Sequence, residues 1–169
     1  MSAKIAMVIA HDGFRDEEYW VPKQIFENNN YTVTTVSSDI SPAVSKFGKQ
    51  ANPDMLLSEV LANDFDALVF IGGPGASEYF DNPTAHQLAS AFVAPDKLLA
   101  AICIAPVILS RAGLLAGKTV TLFPSGNQEL IANGANVTGN PVETDSNIIT
   151  ASGPEAAEAF AREIIRLLQ

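Results

Sequence analysis

The residues that could do chemistry in this chain are few, and the sharpest candidate is its single cysteine. Cys103 stands in Leu98-Leu99-Ala100-Ala101-Ile102-Cys103-Ile104-Ala105-Pro106, an apolar run that passes through the thiol into a segment containing Val107, Ile108 and Leu109. A buried strand, a sharp turn and a proline-started helix form the pattern of a nucleophile elbow, which lifts one side chain over the end of a sheet. At a helix N-terminus the partial positive charge of the macrodipole favours thiolate over thiol. A lone cysteine is otherwise a small apolar core residue, so the meaning of Cys103 depends on what the fold brings beside it.

The elements that must position the thiol follow from periodicity. Ile5 to Ala10 is continuously apolar and ends in His11-Asp12-Gly13, as a central parallel strand ending in a turn would. Asp16-Glu17-Glu18 opens a helix to about Asn28, with Pro22 implying a kink or a tightened first turn. Tyr31 to Val36 alternates as a second strand, residues 37–53 form an edge excursion of short strand pieces, and a helix is expected from about Asp54 to Ala62. Ala67 to Ile71 is a third buried strand, followed at once by Gly72-Gly73-Pro74-Gly75. Asn82-Pro83 caps and starts a helix to about Ala94, and the helix after Cys103 stops at Ala112-Gly113. Thr119 to Leu122 is a fifth strand, Ser125 to Gln128 has capping-box spacing, Val137 to Val142 is an edge piece and Ile148 to Ala151 is a last inner strand. Ser152-Gly153-Pro154-Glu155 is a second capping box, opening an amphipathic helix through Leu168. Strands alternating with helices in this way specify one α/β domain over residues 1–169, a doubly wound three-layer sandwich with a mostly parallel sheet.

Ligands of such sheets bind outside the carboxyl ends of the strands. That rule selects His11 and Glu18, Gly72 and Gly73, Cys103 and Ile104, and Phe123 to Asn127. Consecutive glycines after a strand leave N–H groups unobstructed, as an oxyanion site requires. Glu18 aimed into a pocket would share a hydrogen bond with Cys103 and set its protonation, whereas an acidic first turn is ordinarily solvated. His11 is a candidate base or a strand-end residue, and His86, inside a helix, reads as a surface residue. No G-x-G-x-x-G opens a helix after the first strand, no P-loop occurs and no metal-ligand spacing is present, so no cofactor and no metal are expected.

Composition narrows the function classes. Hydrophobic residues make up 47% and charged residues 17% of 169, a globular composition large enough to bury a core without staples. One cysteine excludes an internal disulfide and fits a reducing compartment. The first strand follows Lys4 directly, without a signal-peptide apolar region, and no run reaches membrane-spanning length, so a cytoplasmic protein is expected. Ten basic against nineteen acidic residues give a net charge of -9, whose field repels phosphate backbones and anionic membranes. Neither nucleic acid nor membrane is expected as a partner.

Glu18 followed by Pro22 in the first helix, the glycines after the third inner strand, and Ala101-Ile102-Cys103-x-Ala105-Pro106 together resemble the ThiJ/PfpI superfamily. The resemblance spans nearly the whole chain, through Ser152-Gly153-Pro154 and the terminal helix. It implies a flavodoxin-like fold related to class I glutamine amidotransferases. It further implies Cys103 as the reactive nucleophile, Glu18 as its protonated partner, an oxyanion site from the N–H groups of Gly73 and Ile104, and a homodimer with the site near the interface. Two departures change the implied chemistry. PfpI-type proteases carry His directly after the cysteine, where this chain has Ile104, and the deglycase branch has one before the proline of the next strand end, where this chain has Phe123. Without either imidazole, cysteine–histidine peptide hydrolysis loses its proton carrier. The expected function is therefore cysteine-dependent chemistry, as a hydrolase or lyase, on small electrophilic carbonyl or C–N compounds. It would be of glyoxalase, deglycase, hydratase or amidase type, run by Cys103 and Glu18 in a pocket with His11, Gly72 and Phe123. The alternative is a non-enzymatic oxidative-stress sensor or chaperone, in which an oxidant converts Cys103 to a sulfinic acid held by Glu18.

Overall fold

The computed structural model describes residues 2–169. In chain order its strands and helices are β1 (Lys4–Val8), β2 (Asp12–Phe14), α1 (Asp16–Asn28), β3 (Thr32–Ser37), β4 (Ala43–Ser45), β5 (Gln50–Ala51) and β6 (Met55–Leu56). There follow β7 (Ala67–Phe70), α2 (Pro83–Ala91), β8 (Leu98–Ile102), α3 (Pro106–Arg111), β9 (Thr119–Val120) and α4 (Asn127–Ala132), then β10 (Asn136–Val137), β11 (Val142–Asp145), β12 (Ile148–Ala151) and α5 (Ala157–Leu168). Seven strands make one sheet in the order β11-β12-β8-β7-β1-β3-β6, parallel throughout apart from β11, which runs antiparallel to β12.

The apolar runs are continuous because this sheet is covered on both faces. Ile5, Met7, Val69, Ala100 and Ile102 enter a core completed by Phe26 of α1 and by Phe160 and Ile164 of α5. Their neighbours Ala6, Val8, Leu68, Phe70 and Leu99 enter a second core with Leu88 of α2, Ile108 of α3 and Leu130 of α4. A strand buried on both sides needs an apolar residue at every position, and each large one fully buried contributes roughly 1.5–3 kcal/mol. The result is the doubly wound three-layer sandwich that the periodicity specifies.

Several local expectations fail for identifiable reasons. Residues 54–62 form no α-helix; they give β6 and the 3-10 turns Leu57–Glu59 and Ala62–Asp64. Asp54 accepts the Thr35 N–H on its carboxylate and donates its own N–H to the Thr35 carbonyl, both at 2.8 Å, which pulls the chain onto the sheet edge. The strand expected at 119–122 leaves the main sheet, and Thr119–Val120 pairs with β10 in a separate ribbon. Thr121 is instead held beside β12 by a side chain, its N–H donating to Thr150 Oγ1 at 2.9 Å. The edge piece expected at 137–142 resolves into β10 and β11. Neither capping box forms: α4 and α5 are preceded by 3-10 turns beginning at Pro124 and Pro154, whose ring nitrogens have no N–H to cap. Asn82 does cap α2, its Oδ1 accepting the Ala85 N–H at 3.1 Å.

The excursion between β3 and β6 acquires a function in packing. β4 pairs with β2 in parallel and with β5 antiparallel, and the Lys46 N–H donates to the Phe14 carbonyl at 2.8 Å. Residues 46 and 15 are thereby brought to the same end of the sheet.

Candidate active site

Cys103 follows β8 with φ +65, a left-handed conformation costing a non-glycine residue roughly 1–2 kcal/mol. The strand ends on either side hold it there. Its N–H donates to the carbonyl of Ala151, the last residue of β12, at 2.9 Å, and its own carbonyl accepts the Phe123 N–H at 2.8 Å. Pro106 then opens α3 with φ already suited to a helix. This is the strained elbow that the apolar run, the cysteine and the proline specify.

Glu18 reaches the same point from the first turn of α1. It is fully buried, whereas Asp16 and Glu17 of the same acidic turn are partly exposed. Two glycines make the convergence possible. The Gly72 carbonyl accepts the Arg15 N–H at 2.9 Å, pinning the start of α1 to the end of β7. A Cβ on Gly72 would lie 2.5 Å from Glu18 Oε1 and 2.7 Å from Cys103 Cβ, so the carboxyl and the elbow meet in space that only glycine leaves open. Gly73 has φ +101, and a Cβ there would lie 2.5 Å from both Arg15 N and the Gly13 carbonyl oxygen.

Burial dominates the electrostatics. It pushes the Glu18 carboxyl up to about 7, against the Cys103 thiol, the Arg15 charge and the Gly72 N–H, which favour the ionised form. Among the described residues neither Glu18 oxygen meets full hydrogen-bond geometry with any donor, although thiol and amide lie close enough to act on it. Burial and then Glu18 itself push the Cys103 thiol up to about 12, while the Ile104 and Gly73 N–H groups hydrogen-bond toward the sulfur and oppose the rise. Desolvation thus opposes the ionisation that a helix N-terminus favours, and α3 is only six residues long. Thiol and carboxyl form one coupled pair, in which a proton on Glu18 removes the charge that suppresses ionisation of the sulfur.

The sulfur opens into a cleft of about 370 Å³, walled by Pro74, Ile104, Phe123 and Pro154 and reached by the charged side chains of Arg15, Lys46 and Glu155. The structure brings together Cys103, Glu18, Gly72, Gly73, Ile104 and Phe123. His11 is left out: its Nε2 is 3.0 Å from Ser41 Oγ and 3.9 Å from Asp39, and it does not line the cleft. His86 Nε2 is 2.7 Å from the Phe80 carbonyl oxygen, near the start of α2. Arg15, Lys46 and Glu155 went unrecognised in the sequence. Arg15 lies three residues before Glu18, a spacing that shares a helix face, and Glu155 follows the last inner strand. Lys46 carries no sequence signal, since only the pairing of β2 with β4 delivers it. A larger groove of about 600 Å³ between Leu57–Asp64 and α2 is lined by neither cysteine nor histidine. Among the described residues no three His, Cys, Asp or Glu side chains group as a metal site needs, and no helix is long and apolar enough to cross a membrane.

The sequence profile of the DJ-1/PfpI family matches residues 3–167. The chain belongs to the DJ-1/PfpI family. An uncharacterized protein from Methanocaldococcus jannaschii is 36% identical across 99% of this chain and 83% of its own. YraA of Bacillus subtilis, whose name proposes a cysteine protease, is 37% identical over the full length of both chains. Among solved structures, a ThiJ/PfpI domain protein from Brachyspira murdochii superposes with TM-score 0.95 at 34% identity, covering 99% of this chain and 96% of that one. Drosophila melanogaster DJ-1beta superposes with TM-score 0.91 at 28% identity, covering 99% and 91%. The mostly parallel sheet with helices on both faces is the flavodoxin-like fold of DJ-1/PfpI proteins.

Proposed function

We propose that this DJ-1/PfpI protein uses Cys103 as a nucleophile toward a small electrophilic carbonyl compound, with Glu18 as its proton partner. One observation carries the reading: a buried carboxyl without a settled hydrogen bond and two backbone N–H groups converge on a single thiol at the floor of a cleft. The reacting form has the proton on Glu18 and the charge on sulfur. As the C–S bond forms, the carbonyl π pair moves onto oxygen, where the Gly73 and Ile104 N–H groups hold it. Glu18 then gives its proton to that oxygen, leaving a hemithioacetal beside a carboxylate able to act as base in the next step.

Peptide hydrolysis, which the name of the Bacillus subtilis relative raises, is the less supported chemistry. It needs an acid to protonate a leaving amine, and among the described residues lining the cleft there is no histidine. Methylglyoxal and glyoxal, supplied separately to the wild type and to Cys103→Ser, test the proposal. Consumption by the wild type well above the variant is the expected result; equal rates across a panel of small electrophiles would overturn it.

Oxidation sensing is a second reading that draws on the same site, since a sulfinate at Cys103 would accept a hydrogen bond from the protonated Glu18 carboxyl. Peroxide at modest excess, followed by intact mass, would show two oxygens gained at Cys103. No gain would remove that reading.

A further inference from the structure

The proposed chemistry uses sulfur, carboxyl and two amides, and assigns no substrate contact to the two cations at the cleft. Arg15 and Lys46 are drawn from only ten basic residues in a chain of net charge -9, and they meet because the Lys46 N–H donates to the carbonyl of Phe14, next to Arg15. Glu17 occupies one edge of the Arg15 guanidinium, with Nε 2.6 Å and Nη2 3.5 Å from its carboxylate oxygens. The plane of the group is fixed further by the Phe47 ring, 5.0 Å away. Among the described residues Arg15 Nη1 has no hydrogen-bond partner and the Lys46 ammonium no ion pair. Among the described residues Glu17 is the one carboxylate within ion-pair distance of these two cations.

We infer that the electrophile of this protein carries a carboxylate, seated on Arg15 and Lys46 while its carbonyl carbon meets Cys103; the inference rests on Cys103 being the reacting atom. The order of the strands orients such a ligand. The ends of β12, β8, β7 and β1 succeed one another across the sheet, and they deliver in turn Glu155, Cys103, Gly73 and Arg15. Glu155 bends back over its own loop, its Oε2 3.5 Å from where a Cβ on Gly153 would stand, and its charge repels a carboxylate from that end. The acid group belongs at the β1 end and the carbonyl beside the sulfur, the geometry of a short oxo acid. The cleft, of about 370 Å³, has room for such a molecule. Arg15 and Lys46 are then specificity residues, since a planar guanidinium with a free edge favours a carboxylate over a neutral group.

Alkylation by iodoacetate and by iodoacetamide tests this without requiring turnover. The two reagents share a leaving group and differ in charge. In each, the Cys103 sulfur forms a bond to the methylene carbon, iodide leaves, and the thiol proton passes to Glu18 or to solvent. The quantity to measure is the ratio of the two rate constants, divided by the same ratio for N-acetylcysteine, because any change in thiolate fraction cancels. In the wild type this normalised ratio should exceed one and fall as salt is added. In Arg15→Gln/Lys46→Gln it should drop about tenfold, the worth of a charge-assisted hydrogen bond. Lys46→Gln alone, at an exposed position, should show part of that drop in a protein whose core is untouched. A wild-type ratio at or below that of the free thiol, or one unmoved in both variants, would overturn the inference while leaving Cys103 reactive. A Cys103 inert to both reagents would overturn the nucleophile reading and this one with it. Glyoxylate and methylglyoxal, an acid and a neutral aldehyde, extend the comparison to turnover, with the larger loss in the double variant expected for glyoxylate.

Discussion

Replacing Glu18 by glutamine should remove a specific segment of the pH dependence of stability. Burial raises this carboxyl from 4.5 to about 7, so between those values the native protein keeps a proton that the unfolded chain has released. The sign follows directly. The contribution is fully present below about pH 4.5, is lost as pH rises toward 7, and stays constant above. Each tenfold change in proton affinity is worth about 1.4 kcal/mol, so the loss across this window is roughly 3 kcal/mol. Cys103 adds nothing there, because its thiol is pushed up to about 12 and keeps its proton. Glutamine has the same shape and does not titrate. The stability of Glu18→Gln minus that of the wild type should therefore rise by roughly 3 kcal/mol from pH 4.5 to 7, whatever constant offset the amide introduces. Urea unfolding at half-unit pH steps measures this, and contributions from the other carboxylates cancel in the difference. Parallel curves for the two proteins would refute the claim that the native state holds Glu18 protonated below neutral pH.

The remaining predictions concern the elbow and its neighbours. Cys103→Gly should be more stable than Cys103→Ala by about 1 kcal/mol, because glycine accepts φ +65 without strain; chemical denaturation with alanine the more stable would show that the turn is unstrained. Gly72→Ala drives a methyl against Glu18 Oε1 and the Ile102 carbonyl and should cost about 3 kcal/mol while slowing alkylation of Cys103 at least tenfold; a stable, fully reactive variant would mean that the carboxyl and thiol do not need this space. Ile104→His restores an imidazole beside the sulfur, so thiolate absorbance should appear at lower pH and activated-ester hydrolysis should rise above the wild type. Unchanged titration and unchanged hydrolysis would show that the missing imidazole is not what withholds hydrolytic chemistry.

Much of the fold is legible in the sequence because its signals are local. A parallel strand covered on both faces must be apolar at every position, and Ile5 to Val8, Ala67 to Phe70 and Leu98 to Ile102 carry that signature unbroken. The elbow is legible for the same reason, as an apolar run, a cysteine and a proline occur in sequence. Residues 54–62 misled because Asp54 satisfies its backbone through Thr35, nineteen residues away, and that bond is worth more than local helix preference. His11 misled because the sheet-edge rule places a residue without aiming its side chain, and Ser41 and Asp39 draw it elsewhere.

By itself, then, the sequence determined the layers, the elbow that exposes Cys103, the paired glycines beside it, and the absence of an imidazole at position 104. Tertiary structure alone decided that Glu18 turns inward among three consecutive acids, that Gly72 lets its carboxyl reach the thiol, and that Lys46 joins Arg15 across an intervening stretch of chain. The physical reason is one of range. Hydrophobic periodicity is set by each element's own residues, whereas the charge state of a buried thiol and carboxyl depends on which groups distant strands bring within a few ångströms.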